Sequence, residues 1–142
     1  MTKTLIVPHG GMLVNRVLGG AERQEAFAKA KALPVLNLSE RNVSDLECIA
    51  TGVYSPLTGF VTEAEYKSIV DTMHLPSGLA FSIPITLQVS EDVAKTIQTG
   101  SEVALFANRN ILATMTVTDK YKPDQKAEAK KVYRTNDEKH PG

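Results

Sequence analysis

Residues 44–60, SDLECIATGVYSPLTGF, combine two helix signals with a rigid turn and decide the local fold of this chain. Ser44 followed by Glu47 has the spacing of a capping box, in which a hydroxyl and a carboxylate each accept a hydrogen bond from a backbone N–H at a helix start. Gly52 adopts a left-handed conformation at little cost. We therefore predict a helix that begins at Ser44 and ends at Gly52.

The end of this stretch, SPLTGF, predicts a shaped corner. Pro56 fixes its own φ and pushes Ser55 toward an extended conformation, while Gly59 permits a positive φ just before Phe60. Two interpretations are open: a buried corner, or a loop presented to a ligand or a neighbouring domain. The candidate interdomain or loop-shaping positions are Ser55, Pro56, Leu57, Thr58, Gly59 and Phe60.

Composition predicts one soluble domain. Of 142 residues, 42% are apolar and 23% are charged, which is ordinary for a globular protein with its own core. The 16 Lys and Arg residues balance 16 Asp and Glu residues, so net charge favours neither nucleic acid nor an anionic membrane. The chain opens without a signal-peptide pattern and has no apolar run of ~20 residues. We expect a cytoplasmic location, and we expect the single cysteine, Cys48, to be a small buried hydrophobe.

The first half of the chain predicts short helices and one short strand. Residues 21–33 favour a helix that Pro34 ends, and residues 35–38 favour a strand. Thr62 with Glu65 repeats the capping-box spacing. The helix that it opens carries an apolar stripe of Tyr66, Ile69, Val70 and Met73.

The second half predicts more sheet. Apolar residues alternate along 81–89, as in a half-buried strand. Ser90 is placed to cap a helix to about Gln98, and Asp124 one to about Tyr133. Between them, 103–106 and 111–117 predict a hairpin that turns at 108–110. The whole pattern predicts an α+β fold with several short helices and a small curved, barrel-like, mainly antiparallel sheet.

The sequence offers few groups for chemistry. The histidines, His9, His74 and His140, are far apart, and no spacing typical of a metal site or a glycine-rich phosphate loop occurs. Gly10-Gly11 and Gly19-Gly20 are predicted turns, although their N–H groups could face an anion. The lysines of the last helix share their face with Glu128, which predicts a solvated surface. We therefore predict no catalytic, cofactor-binding or metal-binding residue.

Several segments resemble the N-terminal domain of ATP sulfurylase, also called sulfate adenylyltransferase. The 44–60 stretch is the first of them. The others, in chain order, are PHGGML at 8–13, FSIPITL at 81–87, YKPDQK at 121–126 with Glu128-Ala129, VYRTND at 132–137, and the closing HPG at 140–142. SPLTGF and the D-x-x-HPG ending are the specific motifs, and the similarity covers nearly the whole chain.

The resemblance implies a PUA-like domain over 1–134, with 135–142 starting the linker to a catalytic domain. The family's enzyme makes adenosine 5′-phosphosulfate and pyrophosphate from ATP and sulfate. Its catalytic signatures, a Gln-x-Arg-Asn-Pro segment with paired histidines and a Gly-Arg-Asp-His segment, do not occur here. The resemblance thus implies a non-catalytic domain that binds no cofactor itself, with MgATP as substrate of the parent enzyme. It implies the catalytic domain as partner and leaves room for a homo-oligomer.

Two other function classes stay open. A free-standing PUA-like module would bind RNA, but the neutral charge and the lack of a basic stripe with stacking aromatics argue against nucleic acid. An interaction subunit would complete a separately encoded catalytic chain, which requires an exposed apolar surface. Salt-dependent RNA binding would favour the first of these, and co-purification of a catalytic chain the second.

Overall fold

The computed structural model describes residues 4–141, which fall into two compact units. Unit 1 comprises 4–60 and 89–117, and unit 2 comprises 61–88 and 118–141. The predicted division into a domain over 1–134 and a linker over 135–142 stays a prediction, and the last linker residue, Gly142, lies outside the described residues. So does the opening Met1-Thr2-Lys3.

Unit 1 is built on a three-stranded mixed sheet in the order β1-β2-β3. Strand β1 (Val35–Asn37) pairs with β2 (Glu102–Ala107) in parallel, and β2 pairs with β3 (Asn110–Thr116) antiparallel. The central strand β2 carries the core, because Val103, Ala104 and Leu105 are at most 1% exposed. Such burial on consecutive residues is typical of a strand covered on both faces.

The β2–β3 hairpin lies where the sequence predicts it. Ala107 pairs with Asn110, which leaves Asn108 and Arg109 as a two-residue turn. Both turn residues have positive φ, 50° and 64°, as a type I′ turn requires, and asparagine tolerates this conformation well. A β-bulge lies between Leu105 and Phe106.

Three helices complete unit 1. They are α1 (Gly20–Ala30), α2 (Glu40–Thr51) and α4 (Glu91–Thr96). Helix α1 contacts β3, and Lys29 near its end forms a 2.6 Å ion pair with Glu102. Helix α4 is capped by Ser90 as predicted but ends at Thr96, two residues short of Gln98.

The predicted start of α2 at Ser44 is wrong. The cap is Ser39, whose hydroxyl accepts a 3.2 Å hydrogen bond from the N–H of Asn42 and donates one to the Asn42 side chain. The earlier start adds more than one turn to the helix and puts Asn42 in a buried position. Gly52 ends α2 with φ of 85°, as predicted.

Unit 2 centres on α3 (Glu63–Thr72), which contacts a π-helical segment, Ala129–Tyr133. The predicted capping box is present: Thr62 accepts from the Glu65 N–H, and the Glu65 carboxylate accepts from the Thr62 N–H. Of the predicted apolar stripe, Tyr66, Ile69 and Val70 are buried, while Met73 is the left-handed C-cap.

The predicted strand over 81–89 is wrong. None of these described residues belongs to the sheet, and the alternation of burial fails because Ile83 and Val89 are 43% and 39% exposed. Pro84 has no backbone N–H to donate to a neighbouring strand. Ile85 instead accepts a single backbone hydrogen bond from Val61.

The last predicted helix forms in two parts. Asp124 caps α5 (Gln125–Glu128), and the chain continues without a break into the π-helical segment, which ends at Arg134 in the left-handed region. The fold is α+β, as predicted. In the described part of the chain the sheet is open and does not close into a barrel.

The two candidate caps of α2 give a direct test. Ser39→Ala removes the acceptor for the Asn42 N–H, so we expect it to lower the free energy of unfolding by about 1 kcal/mol. Ser44→Ala lies within the helix and is solvent-exposed, so it should be neutral or slightly stabilising. Urea denaturation followed by circular dichroism measures both. Equal destabilisation by the two variants would contradict the assignment of Ser39.

Candidate functional site

The six candidate positions form a corner directly after α2. Two backbone hydrogen bonds shape it: the N–H of Ser55 donates to the carbonyl of Gly52, and the N–H of Leu57 donates to that of Tyr54. Ser55 and Leu57 are 2% and 4% exposed. These two positions agree with the buried interpretation.

The Ser55 hydroxyl joins the corner to the N-terminal segment. It donates to the Gly52 carbonyl at 2.7 Å and accepts from the backbone N–H of Val14 at 3.0 Å. Two residues along, the Arg16 N–H donates to the Ala50 carbonyl at 2.8 Å. These bonds fix residues 14–16 along the end of α2.

Gly52 allows this close approach. A Cβ at Gly52 would lie 2.6 Å from the Val14 carbonyl oxygen and 2.7 Å from the Leu13 Cδ1. Real Cβ atoms do not reach such distances, and the backbone atom has no freedom to move aside. The glycine is thus required both for its positive φ and for the passage of the N-terminal segment.

The other four corner positions are not fully buried. Gly59 does not adopt the positive φ that a glycine permits: its φ lies outside the left-handed region, and a Cβ there would meet no atom within 4 Å. Thr58 is exposed, and Pro56, Gly59 and Phe60 are half-buried. The corner holds no ionisable side chain, so its chemistry is that of positioning and contact.

A polar contact beside the corner was not foreseen from the sequence. The Tyr54 hydroxyl donates to the Asp45 carboxylate at 3.4 Å. Burial raises the pKa of the Asp45 carboxyl, and the bond from Tyr54 and the charge of Arg41 act in the opposite direction. Cys48 lies on the same helix and is half-buried.

Unit 2 contains a tyrosine pair that sequence analysis also missed. The rings of Tyr66 and Tyr121 have centroids 5.5 Å apart, at an angle of 44°. The Tyr66 hydroxyl donates to Glu128 at 2.6 Å, and the Tyr121 hydroxyl donates to the Val61 carbonyl at 2.8 Å. Burial raises the pKa of both phenols above the usual 10.0. Both therefore act as fixed hydrogen-bond donors.

The predicted exposure of Lys126, Lys130 and Lys131 is confirmed, but Glu128 on the same face is not fully solvated. Glu128 is half-buried and accepts from Tyr66, and Lys131 forms an ion pair with Asp71 on α3. The sequence separation of these partners, about 60 residues, explains the error. A pattern along one helix does not reveal them.

A cavity of about 150 Å³ lies beside the tyrosine pair. Ligand pockets usually have about 300–1,000 Å³, so this cavity is small for a ligand of nucleotide size. Its charged lining is balanced between three carboxylates and three ammonium groups, namely Glu63, Asp71, Asp124, Lys67, Lys122 and Lys131. Ion pairs of Lys67 with Glu63 and Lys131 with Asp71 use four of them.

Residues 4–141 form neither a candidate metal site nor a candidate membrane span. No cluster of three or more His, Cys, Asp or Glu side chains is arranged to hold a metal ion there. Within the same range no helix has the length and apolar character needed to cross a membrane.

Replacing Ser55 by alanine should weaken the corner. The Val14 N–H and the Gly52 carbonyl would each lose a partner, so we expect Ser55→Ala to lower the free energy of unfolding by about 1–3 kcal/mol. Thr58→Ala, at the exposed position of the same corner, is the matched control and should change it by less than about 0.5 kcal/mol. Urea denaturation compares them, and an unchanged midpoint in Ser55→Ala would refute the role of the hydroxyl.

The tyrosine pair predicts a pH dependence. Folded Tyr66 keeps its proton to higher pH than a tyrosine of the unfolded chain, so the unfolded state loses protons first above pH 10.0 and the free energy of unfolding falls. Tyr66→Phe should reduce this fall, and Glu128→Gln, which keeps an acceptor without the charge, should give an intermediate slope. Urea denaturation at pH 8 to 11 measures it. A slope that Tyr66→Phe leaves unchanged would contradict the assignment.

Known proteins are similar to this chain in sequence and in fold. The sulfate adenylyltransferase of Synechococcus sp. (strain JA-3-3Ab) is 48% identical over 138 residues, which cover 96% of this chain and 35% of that protein. The probable bifunctional SAT/APS kinase 2 of Sorangium cellulosum (strain So ce56) is 48% identical over 139 residues, 97% of this chain and 24% of that protein. The chain thus spans about a third or less of the length of these relatives.

A solved structure has a similar fold. The hexameric APS kinase from Thiobacillus denitrificans matches with a TM-score of 0.76 and 34% identity, over 84% of this chain and 24% of that one. The sequence relatives confirm the predicted resemblance to sulfate adenylyltransferases. The family model described as "PUA-like domain" matches residues 6–142, including those predicted as linker. From its fold and this nearly complete match, the chain belongs to the PUA-like domain family.

Proposed function

We propose that this chain serves as the N-terminal, non-catalytic domain of a sulfate adenylyltransferase, the enzyme that forms adenosine 5′-phosphosulfate and pyrophosphate from ATP and sulfate. The observation that carries the proposal is the 48% identity to the Synechococcus sulfate adenylyltransferase over 96% of this chain. That relative is about three times as long as this chain. A shared segment of that extent supports a shared place in the enzyme.

The chemistry of the reaction supports a structural role. Joining sulfate to the α-phosphorus of ATP brings two anions together, which calls for several cationic groups aimed at one point. In unit 2, Lys67 and Lys131 are held in ion pairs, and the cavity beside them is smaller than a usual ligand pocket. In this proposal ATP, with its magnesium ion, and sulfate bind to the remainder of the enzyme in the cytoplasm, as part of sulfate assimilation.

The candidate corner has a divided role in this proposal. Ser55 and Leu57 are used inside unit 1, where they hold the end of α2. Thr58, which is exposed, and the half-buried Pro56, Gly59 and Phe60 are the positions that would meet the catalytic domain. A homo-oligomer belongs to the proposal because the similar solved structure is described as hexameric.

An activity assay tests the proposal. The purified chain should form no adenosine 5′-phosphosulfate from MgATP and sulfate. A fusion in which this chain replaces the matched 138 residues of the Synechococcus relative should form it. The relative lacking those residues is the matched control and should lose most of its activity or its solubility.

Two outcomes would overturn the proposal. Turnover by the chain alone would place catalytic groups within it. A fusion that folds but forms no product, while the intact relative is active under the same conditions, would show that the chain cannot take the place of the relative's own domain.

A further inference from the structure

The N-terminal segment of unit 1 exposes an unusual amount of apolar side chain. Isolated exposed hydrophobes are normal on a protein surface, whereas a concentration of them marks a contact site. The apolar segment, defined as 5–18, carries seven large apolar side chains that are 46–95% exposed: Leu5, Ile6, Val7, Met12, Leu13, Val17 and Leu18.

This exposure belongs to a segment that is held in place. The Val14 N–H donates to the Ser55 hydroxyl, and the Arg16 N–H donates to the Ala50 carbonyl. Ahead of them, the Gly11 N–H donates to the Pro8 carbonyl and closes a turn. The chain that bears the apolar residues is thus fixed at 14–16 to the end of a helix and shaped by a turn at 8–11.

The chemistry of the segment defines what it would contact. Arg16 is its one Asp, Glu, Lys or Arg residue. A surface with so little charge gains little from an anionic or cationic partner. Its binding free energy would come mainly from removal of apolar area from water. The occupant should therefore present an apolar face of its own.

We propose that the apolar segment docks onto the part of a sulfate adenylyltransferase that lies outside this domain. The inference rests on the proposed function. About two thirds of the Synechococcus relative lies outside the matched region, and a covalently linked domain is present at an effective concentration in the millimolar range. A second copy of the chain lacks that advantage, and so the linked domain is the favoured occupant.

The test measures burial at the segment itself. Single cysteines are placed by Ile6→Cys and Met12→Cys in a Cys48→Ala background, both in the isolated chain and in the fusion with the Synechococcus relative. Leu112→Cys, on β3 and 43% exposed, is the matched control. The rate of reaction with a maleimide is measured for each under native conditions.

We expect Ile6→Cys and Met12→Cys to react at least ~10-fold more slowly in the fusion than in the isolated chain, because labelling then requires local opening. Leu112→Cys should react equally in both. Equal rates for all three cysteines in an active fusion would overturn the docking inference and leave the proposed function intact. A folded but inactive fusion would instead remove the proposed function and the inference with it.

The oligomeric state of the isolated chain decides between occupants. Sedimentation velocity should find a monomer, or an association that Ile6→Ser with Met12→Ser does not change. A dimer that dissociates on this double substitution would show that a second copy covers the segment, and it would overturn the inference.

Discussion

The hydrogen bonds of one buried hydroxyl organise unit 1. Ser55 donates to Gly52 and accepts from Val14, so a single side chain ties the C-terminus of α2, the corner after it and the N-terminal segment together. The arrangement depends on the absence of a side chain at Gly52, where a Cβ would lie 2.6 Å from the Val14 carbonyl oxygen. Since this contact holds Val14 within the apolar segment, the placement of the surface proposed to meet the rest of the enzyme depends on a serine and a glycine outside that surface.

Contacts of a different kind stabilise unit 2. Its partners are distant in sequence: Tyr66 with Glu128, Tyr121 with Val61, and Lys131 with Asp71. The exposed ion pair adds little stability by itself. The buried Tyr66 and the half-buried Tyr121 contribute more, because each places its hydroxyl against an acceptor and its ring against the other ring. The small, charge-balanced cavity beside them agrees with a structural use of these groups.

Sequence reasoning succeeded where the signal is local and failed where it is not. The Thr62–Glu65 capping box, the Ser90 cap, the Gly52 end of α2 and the turn at Asn108-Arg109 each follow from neighbours within a few residues. The start of α2 was misplaced because Ser39 and Ser44 both offer a cap, and only the longer helix distinguishes them. The strand over 81–89 was predicted wrongly because alternating apolar residues do not show whether a partner strand is available. In the corner, the burial of Ser55 and Leu57 agreed with the interpretation of a buried corner. The hydrogen bond between Ser55 and Val14 joins residues 41 apart, so no local sequence pattern predicts it.

The connectivity of the sheet sets an order of events. Strand β2 meets β3 across a two-residue turn, but its other neighbour, β1, precedes it by more than sixty residues, with Val35 opposite Ala104. Closing so long a loop costs more entropy than closing a two-residue turn, so we expect the hairpin to form before the parallel pair. A segment of unit 2, 61–88, lies within that loop. During synthesis from the N-terminus, β1 therefore stays without its partner until the chain has been extended beyond β2, and the core around Val103 and Leu105 is completed only then.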